Sequence, residues 1–497
     1  MSRRFFVRAV ALAVLLALPF AVFASGNGED DDGAVELIWM MGNPGQVPLD
    51  QAEVEAVLDE ISVPAVGAKV TTLYYDAERT KLALSSGEAW DMAFAAEWWI
   101  DFPTQARQGL FADLTEKLDT VAPALYDTMP EIVWEGARID GKIVAIPVKK
   151  DYAAELFYRF DKELFVDTLG MEPPQLPDDM EFEDLEEYLE AGKEAYEDGL
   201  VGPEGEYPLM MTSGGFAGLD GNFDWVNRDA LLAIPYSAVG TADSSEIVVA
   251  IEHPDLYDRF VTLHEWFNAG YINRDAATVQ DIPTYSPIKI GQGFYGADAI
   301  WTGADGYVQV ISRWQGPYLS TSSIRGSMNA ISADSDYIDT ALRYQELVNT
   351  NQEYRDILRY GIEGTHWNRT DEGLVQMTDV GRQRYRPWPF SQGSYSLSSV
   401  EAAEGVEVDP DMWQVIFDGY QDLVATNTIG FSFDIAPVES QVAAISVIKQ
   451  KYWAGLVTGT LDPAEVVPDF MDELEAAGIR DVQAEAQRQF DAFLASK

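Results

Sequence analysis

The residues best suited to chemistry in this chain are aromatic rings placed where predicted strands end. Trp98 and Trp99 come two residues after the stretch 91–95, which is predicted to be a short buried strand. Ligands of open α/β sheets bind at the carboxyl ends of the strands, and an indole offers a flat apolar face on which a sugar ring can stack. We predict that one ring faces a ligand cleft and the other enters the core, although packing alone would also explain both.

Further candidate ligand contacts combine a ring or a hydrogen-bonding group with a position in a loop, a turn or a predicted hinge. The predicted ligand-binding residues beyond the two tryptophans are Asn43, Asp76, Lys149, Asp151, Tyr152, Trp301, Glu363, His366 and Trp367. A structural explanation remains open for several of them. Asp76 could simply cap the helix that follows it, and Lys149 could be a solvated hinge charge. Trp301 could be a packing residue, and His366 with Trp367 could form a structural corner.

The sequence offers little support for catalysis. Its three histidines, His253, His264 and His366, are far apart and lack the H-E-x-x-H spacing of a zinc site. There is no G-x-S-x-G nucleophile motif and no phosphate-binding P-loop. Paired carboxylates could serve a glycosidase, but candidate pairs carry no information among 83 acidic residues. We therefore predict no catalytic residue, no metal ligand and no cofactor.

Charge and length limit the class of protein. The formal net charge is −50 over 497 residues, and such a field repels nucleic acid and anionic membrane surfaces. A chain of this length is too long for one hydrophobic core, which favours two lobes. Aromatic residues make up 12% of the chain, which favours a cleft that stacks on flat ligand faces.

The N-terminus has the pattern of an export signal. Arg3, Arg4 and Arg8 precede the apolar run from Ala9 to Phe23, which is short for a membrane span. We predict a signal peptide over 1–24, cleaved after Ala24, and a disordered acidic leader over 25–33. Either the general secretory or the twin-arginine route fits the pattern. The chain has no cysteine, so the prediction is a periplasmic protein that is not lipid-anchored.

Local patterns predict an alternation of strands and helices. Strands are expected over Val35–Met40, Ala68–Tyr75 and 91–95, with amphipathic helices between them. This order favours a parallel sheet with helical crossovers. A final helix is predicted from Asp481, with one apolar stripe formed by Val482, Ala486, Phe490 and Phe493.

Several motifs together resemble a known family. Ser86-Gly87-Glu88, the run Gly109–Leu114, the run Asp140–Pro147 and the strand Leu156–Phe160 follow one another as in the maltose-binding-protein-like class of extracellular solute-binding proteins (family 1). Tyr360–Trp367 and the final helix resemble the sub-branch of LipO-type lipoproteins with a C-terminal DUF3502 domain. The resemblance implies an α/β, two-lobed periplasmic-binding-protein fold of type II, with parallel-type sheets flanked by helices and a hinge near Val148–Tyr152.

The resemblance also implies domain bounds and a function. Lobe 1 is expected over 34–150 and 325–370, and lobe 2 over 151–324 and 371–497, with a family-specific region over about 350–497. The implied function is that of a monomeric ABC importer subunit, which captures a carbohydrate, expected to be an oligosaccharide, by hinge closure and delivers it to a membrane permease. A secreted glycoside hydrolase or lyase and a sensory sugar-binding protein remain the alternatives.

Overall fold

A computed structural model describes residues 33–42, 47–176, 178–215, 222–238, 241, 244–420, 423 and 425–497. The predicted signal peptide, nearly all of the predicted leader and the candidate ligand contact Asn43 lie outside these residues. Those predictions therefore stand as they were made.

The first lobe is built around a five-stranded sheet. Its strands lie in the order Ala68–Tyr75, Val35–Gly42, Met92–Phe94, Met328–Ile331 and Ile146–Pro147. The first three strands are parallel, as predicted, and Met328–Ile331 runs antiparallel to both of its neighbours. Trp39, Met40 and Met41 are buried at successive positions, because a strand covered on both faces places side chains of both faces in a core.

Short helices connect and cover this sheet. They span Gln51–Val66, Ala77–Ser86, Glu97–Ile100, Phe102–Arg107, Lys117–Val121, Pro123–Tyr126, Glu131–Ala137, Ile338–Thr350, Gln352–Tyr360 and Asp379–Arg384. Two small antiparallel pairs complete the lobe, formed by Arg138–Ile139 with Lys142–Ile143 and by Trp367–Arg369 with Val375–Met377.

The segment after residue 370 packs partly against the first lobe. Arg384 forms an ion pair with Asp50, Tyr385 joins the core that contains Trp39, and the Ser391 hydroxyl donates to the Gly42 carbonyl. The prediction that all of 371–497 belongs to lobe 2 is therefore wrong for this part. The Tyr385 ring is buried in the first-lobe core, and the buried Asp50 carboxylate of the first lobe takes Arg384 as its partner.

The second lobe contains two antiparallel sheets. One has the order Ile288–Gly293, Ala154–Asp161 and Gln309–Tyr318, and the other the order Val248–Val249, Leu232–Pro235 and Phe223–Asn227. Parallel-type sheets were predicted for both lobes, but parallel pairs among the described strands occur only in the first lobe. The larger helices of this lobe span Leu185–Glu197, Pro254–Ala269, Ala297–Asp305, Glu439–Val457, Pro463–Ala476 and Ile479–Ser496, with a π-helix over Glu163–Thr168.

The helix Ile479–Ser496 closes the second core. Val482, Ala486 and Phe490 are fully buried, and Phe493 packs against the same cluster. These are the residues of the predicted apolar stripe, which is confirmed. Single-turn elements fill the connections, at Pro203–Gly205, Tyr236–Ala238, Ala250–Glu252, Thr321–Ile324, Pro389–Ser391, Tyr395–Leu397 and Ala436–Val438. Among the described residues, no helix has both the length and the apolar character to cross a membrane.

Three segments cross between the lobes, over residues 148–153, 319–327 and 425–433. The first and second are joined by the Val148 amide, which donates to the Ser327 carbonyl over 2.9 Å, and the second and third by the Thr426 amide, which donates to the Leu319 carbonyl over 2.9 Å. The first crossing coincides with the hinge predicted near Val148–Tyr152. An aromatic cluster lies beside it, formed by Tyr152, Phe294, Tyr395, Trp413, Phe417 and Tyr420.

Candidate ligand-binding cleft

A cavity of about 370 Å³ lies between the two lobes beside the hinge. This volume is within the usual range for small-molecule sites. The first lobe contributes the helices that follow strand Met92–Phe94, the second lobe contributes strand Phe223–Asn227 and the start of helix Glu439–Val457, and the hinge supplies the floor. The lining residues used below are Glu97, Asp101, Arg107, Asp224, Trp225, Asp229, Arg325, Thr428, Ser432, Asp434 and Glu439.

The first-lobe wall is produced by a sharp turn at the carboxyl end of a strand. Glu97 begins a one-turn helix, and Asp101 ends it with a φ of 52° before a second helix starts at Phe102. A positive φ is uncommon for a residue other than glycine. The Glu97 amide donates to the Arg325 carbonyl over 3.2 Å, so the hinge fixes the start of this wall.

Two arginines of the lining are held by the protein itself. Arg107 donates to the Asp140 carboxylate over 3.1 and 3.2 Å, and to the carbonyls of Ser432 and Phe433 over 3.0 and 3.3 Å. Arg325 is buried and donates to the Gly136 and Arg138 carbonyls and to the Ser432 hydroxyl. Both side chains therefore brace the wall and tie the first lobe to residues 432–433.

Two carboxyl groups face the cavity from opposite lobes. Burial raises the pKa of Glu97, although the nearby Arg325 opposes the shift, and Glu97 Oε2 is enclosed with no hydrogen-bond partner among the described residues. Burial likewise raises the pKa of Asp224, whose Oδ2 accepts a hydrogen bond from the Thr428 hydroxyl over 2.6 Å. Acceptors of this kind suit the hydroxyl groups of a polar ligand.

The raised pKa of Asp224 leads to a prediction about stability and pH. A group whose pKa is raised by folding contributes stability that is present below its ordinary pKa and is lost as the pH rises through the raised value. Asp224→Asn removes the buried charge but keeps an acceptor for Thr428. We expect this variant to unfold at a higher temperature than the wild type at pH 7.5, and at the same temperature at pH 3.5.

The measurement is thermal unfolding of both proteins from pH 3.5 to 8. Asp371→Asn is the matched control, because Asp371 is exposed and the same charge change there should leave the pH profile unaltered. An Asp224→Asn protein that is less stable than the wild type at pH 7.5 would contradict the expected cost of this buried charge.

The predicted pair Trp98 and Trp99 divides as expected in exposure. Trp98 is 60% exposed, and its indole N–H donates to the Gly326 carbonyl over 2.8 Å. Trp99 is buried and donates to the Thr80 hydroxyl over 3.2 Å. Trp98 follows the cavity residue Glu97 in the chain but is not itself part of the cavity lining, and Trp388 contacts both indoles. The role of Trp98 as a ligand contact remains a prediction.

Candidate residues at the first hinge crossing contact the aromatic cluster. Asp151 forms a buried ion pair with Lys150 at 3.0 Å, and burial raises the pKa of Asp151. Tyr152 stacks on Phe417, and the Lys149 ammonium lies 5.1 Å from the centre of the same ring. Burial lowers the pKa of Lys149. These contacts indicate a packed hinge rather than solvated charges.

Two other candidates have local structural partners. Asp76 is exposed and accepts a hydrogen bond from the Arg79 amide over 2.7 Å, so it caps the helix Ala77–Ser86. The Trp301 ring packs against Gly293, where an added Cβ would lie 2.4 Å from it. The Arg159 guanidinium lies 4.3 Å from the centre of the indole. Trp301 is therefore held within the second lobe.

The structure does not bring His366 and Trp367 to the cleft. Both are buried: His366 Nδ1 accepts from the Ile362 amide over 2.9 Å, and its Nε2 lies 3.2 Å from Asp50 Oδ2. The Trp367 indole donates to the Gly361 carbonyl over 2.9 Å. Neither side chain has surface left for a ligand, so the structural-corner explanation describes them. Glu363 is exposed beside this corner.

Sequence reasoning missed the residues that line the cavity. Glu97 directly precedes the tryptophan pair, and Arg325 lies three residues before the strand Met328–Ile331, but neither type nor spacing distinguishes them. Asp224 is the second residue of strand Phe223–Asn227, and no motif in the sequence distinguishes it. A search for titratable residues beside the predicted strand ends would have found Glu97.

Two α/β lobes with a cavity between them, joined by three crossings in the part of the chain that the structure describes, define the fold of the two-domain solute-binding proteins. Residues 427–495 match the family model described as "Domain of unknown function (DUF3502)". A protein of Streptococcus pneumoniae serotype 4 (strain ATCC BAA-334 / TIGR4), named carbohydrate ABC transporter substrate-binding protein, is 26% identical over 514 residues that cover 98% of each chain. The resemblance to extracellular solute-binding proteins with a C-terminal DUF3502 domain is thereby confirmed.

Solved structures agree on the fold. The N-glycan transport solute binding protein (NgtS) of Streptococcus pneumoniae superposes with a TM-score of 0.80 at 23% identity, over 93% of this chain and 99% of that chain. The same protein in complex with Man1GlcNAc gives 0.77 over the same shares. The alginate-binding protein AlgQ2 gives 0.57 at 15% identity, over 92% of this chain and 98% of that one.

Proposed function

We propose that this chain is the capture subunit of a carbohydrate ABC importer. The observation that carries the proposal is the cavity between the lobes, which is lined by both lobes and by the hinge. The full-length relative named as a carbohydrate ABC transporter substrate-binding protein supports it, as does a fold shared with a protein solved in complex with Man1GlcNAc. An oligosaccharide is the proposed ligand.

Binding works by closure of the hinge. In the open form, Glu97 and Trp98 on one lobe and Asp224 on the other are separated by solvent. A saccharide that stacks on Trp98 and donates hydroxyl protons to both carboxyl groups contacts the two lobes at once. Such a ligand binds the closed form better and shifts the population toward it. Arg107 already ties the first lobe to the third hinge crossing through the carbonyls of Ser432 and Phe433, so this wall stays fixed to the hinge while the lobes move.

The rest of the proposal concerns delivery. The closed protein docks on a membrane permease that is driven by a separate ATPase, and the bound sugar passes on unchanged. The predicted signal peptide is removed during export, which leaves a periplasmic monomer without a lipid anchor. No catalytic step is assigned to Glu97 or Asp224.

The test is a binding screen of the mature protein against neutral mono- and oligosaccharides, including mannose- and N-acetylglucosamine-containing glycans. A ligand at a hundredfold excess over its Kd should stabilise the folded protein by about 2.7 kcal/mol. Small-angle scattering should then show a more compact molecule. Failure of every glycan to bind would overturn the proposal, and hydrolysis of a labelled glycan would favour the glycoside hydrolase alternative.

A further inference from the structure

The charges around the cavity are strongly unbalanced. Its lining carries the carboxyl groups of Glu97, Asp101, Asp224, Asp229, Asp434 and Glu439, against the guanidinium groups of Arg107 and Arg325. The imbalance alone proves nothing, because 83 residues of this chain are acidic. What matters is which of these groups still has hydrogen-bonding capacity for a ligand.

The two arginines of the lining have little capacity left. The guanidinium of Arg107 is shared between Asp140 and two backbone carbonyls. Arg325 is 1% exposed, and each of its three nitrogens already donates to the protein. Recognition of a sugar carboxylate typically uses a forked pair of N–H donors, and neither side chain presents such a fork to the cavity.

Glu97, unlike the two arginines, still has hydrogen-bonding capacity for a ligand. Its Oε2 is enclosed and has no hydrogen-bond partner among the described residues, although a buried acceptor without a donor is costly. A hydroxyl or an ammonium group of a ligand would satisfy this oxygen. A ligand carboxylate has no proton to donate to this oxygen, so it would form no hydrogen bond there and its charge would be repelled at short range by the Glu97 carboxylate.

We propose that Glu97 makes the cleft selective for uncharged and amino-bearing glycans and excludes uronates and other acidic glycans. This inference rests on the proposed function, since it concerns the ligand of the same cavity. Glu97 acts as a specificity-determining residue: it accepts hydrogen bonds from donor-rich sugars and repels anionic ones. The fold alone does not impose this selectivity. The alginate-binding protein AlgQ2 has the same fold, and alginate is a chain of uronates.

The experiment starts from a glycan array that carries neutral, amino and acidic glycans, probed with the labelled wild-type protein. The best neutral glycan is then converted to its C6-carboxylate and C6-amine derivatives, and the Kd of all three is measured by calorimetry. We expect the carboxylate derivative to bind at least about tenfold more weakly than the neutral glycan. The amine derivative should bind at least as tightly as the neutral glycan.

Glu97→Gln is the decisive variant, and Glu60→Gln on the exposed face of helix Gln51–Val66 is its matched control. Glu97→Gln should reduce the ratio of the carboxylate Kd to the neutral Kd about tenfold. Glu60→Gln should leave this ratio unchanged. Thermal unfolding confirms that both variants are folded. The difference in Kd between the neutral and carboxylate ligands should persist at 0.5 M NaCl, because salt screens an enclosed carboxylate poorly. Salt at this concentration does screen the overall charge of the chain, so an effect of the net charge would disappear.

The outcomes separate the two proposals. If no glycan on the array binds, the proposed function fails. If glycans bind but the carboxylate derivative binds as tightly as the neutral one, only the selectivity fails. A difference in Kd that disappears at 0.5 M NaCl, or that survives unchanged in Glu97→Gln, would assign the selectivity to the net charge and overturn the role of Glu97.

Discussion

Replacement of Trp98 by alanine is expected to weaken glycan binding about tenfold to a hundredfold while leaving the fold intact. Trp98 is 60% exposed, so its removal costs the free protein little packing. In the complex the indole face should be buried against a sugar ring, and burial of an aromatic face of this size contributes about 1.5–3 kcal/mol. That range corresponds to the expected loss of affinity.

Calorimetry with the best glycan of the screen measures this effect. Tyr337→Ala is the control, because Tyr337 is a large aromatic residue that is 45% exposed on the first lobe and lies at the start of helix Ile338–Thr350. Its removal should not change the Kd. An unchanged Kd in Trp98→Ala would remove Trp98 from the binding site.

Replacement of Arg355 by alanine is expected to lower the free energy of unfolding by about 3–5 kcal/mol. Arg355 is fully buried in helix Gln352–Tyr360. It donates to the Ser394 carbonyl over 2.9 Å, to the Gln392 side chain over 3.1 Å and to the Pro389 carbonyl over 3.1 Å. Its loss leaves these three acceptors unsatisfied and weakens the attachment of residues 389–394 to the first lobe.

Denaturant unfolding measures the loss, and Arg343→Ala is the matched control because Arg343 is exposed on the neighbouring helix. Arg355→Lys should recover little of the stability, since an ammonium group cannot reach three acceptors in the geometry of a guanidinium. A loss below 1 kcal/mol in Arg355→Ala would show that these acceptors find other donors.

Local patterns were enough to predict much of the first lobe. The strand Ala68–Tyr75 was predicted with its observed bounds, and the buried stripe of helix Ile479–Ser496 was predicted residue by residue. Both depend on periodicity, which neighbouring residues encode. The antiparallel sheets of the second lobe were missed, because strand direction there depends on pairing between distant segments.

Local patterns could not predict the cavity either, because its lining residues are distant from one another in the sequence. Glu97, Asp224 and Thr428 come from three separate parts of the chain and meet only in the folded protein. The motif around His366 and Trp367 led to the opposite error, because it suggested ligand contacts where the structure has buried side chains. Its residues maintain an irregular backbone through buried side chains, and Gly361 leaves no room for a Cβ, which would lie 2.6 Å from His366 Nδ1.

Both cores join segments that are far apart along the chain, and this affects how quickly the protein can fold. The hydrogen bond from Ser391 to Gly42 links positions 349 residues apart, and that from the Ile247 amide to Gln487 links positions 240 apart. The entropy of closing such long loops must be lost before these contacts form, and folding slows as contacts become less local. Newly synthesised chains should therefore fold slowly.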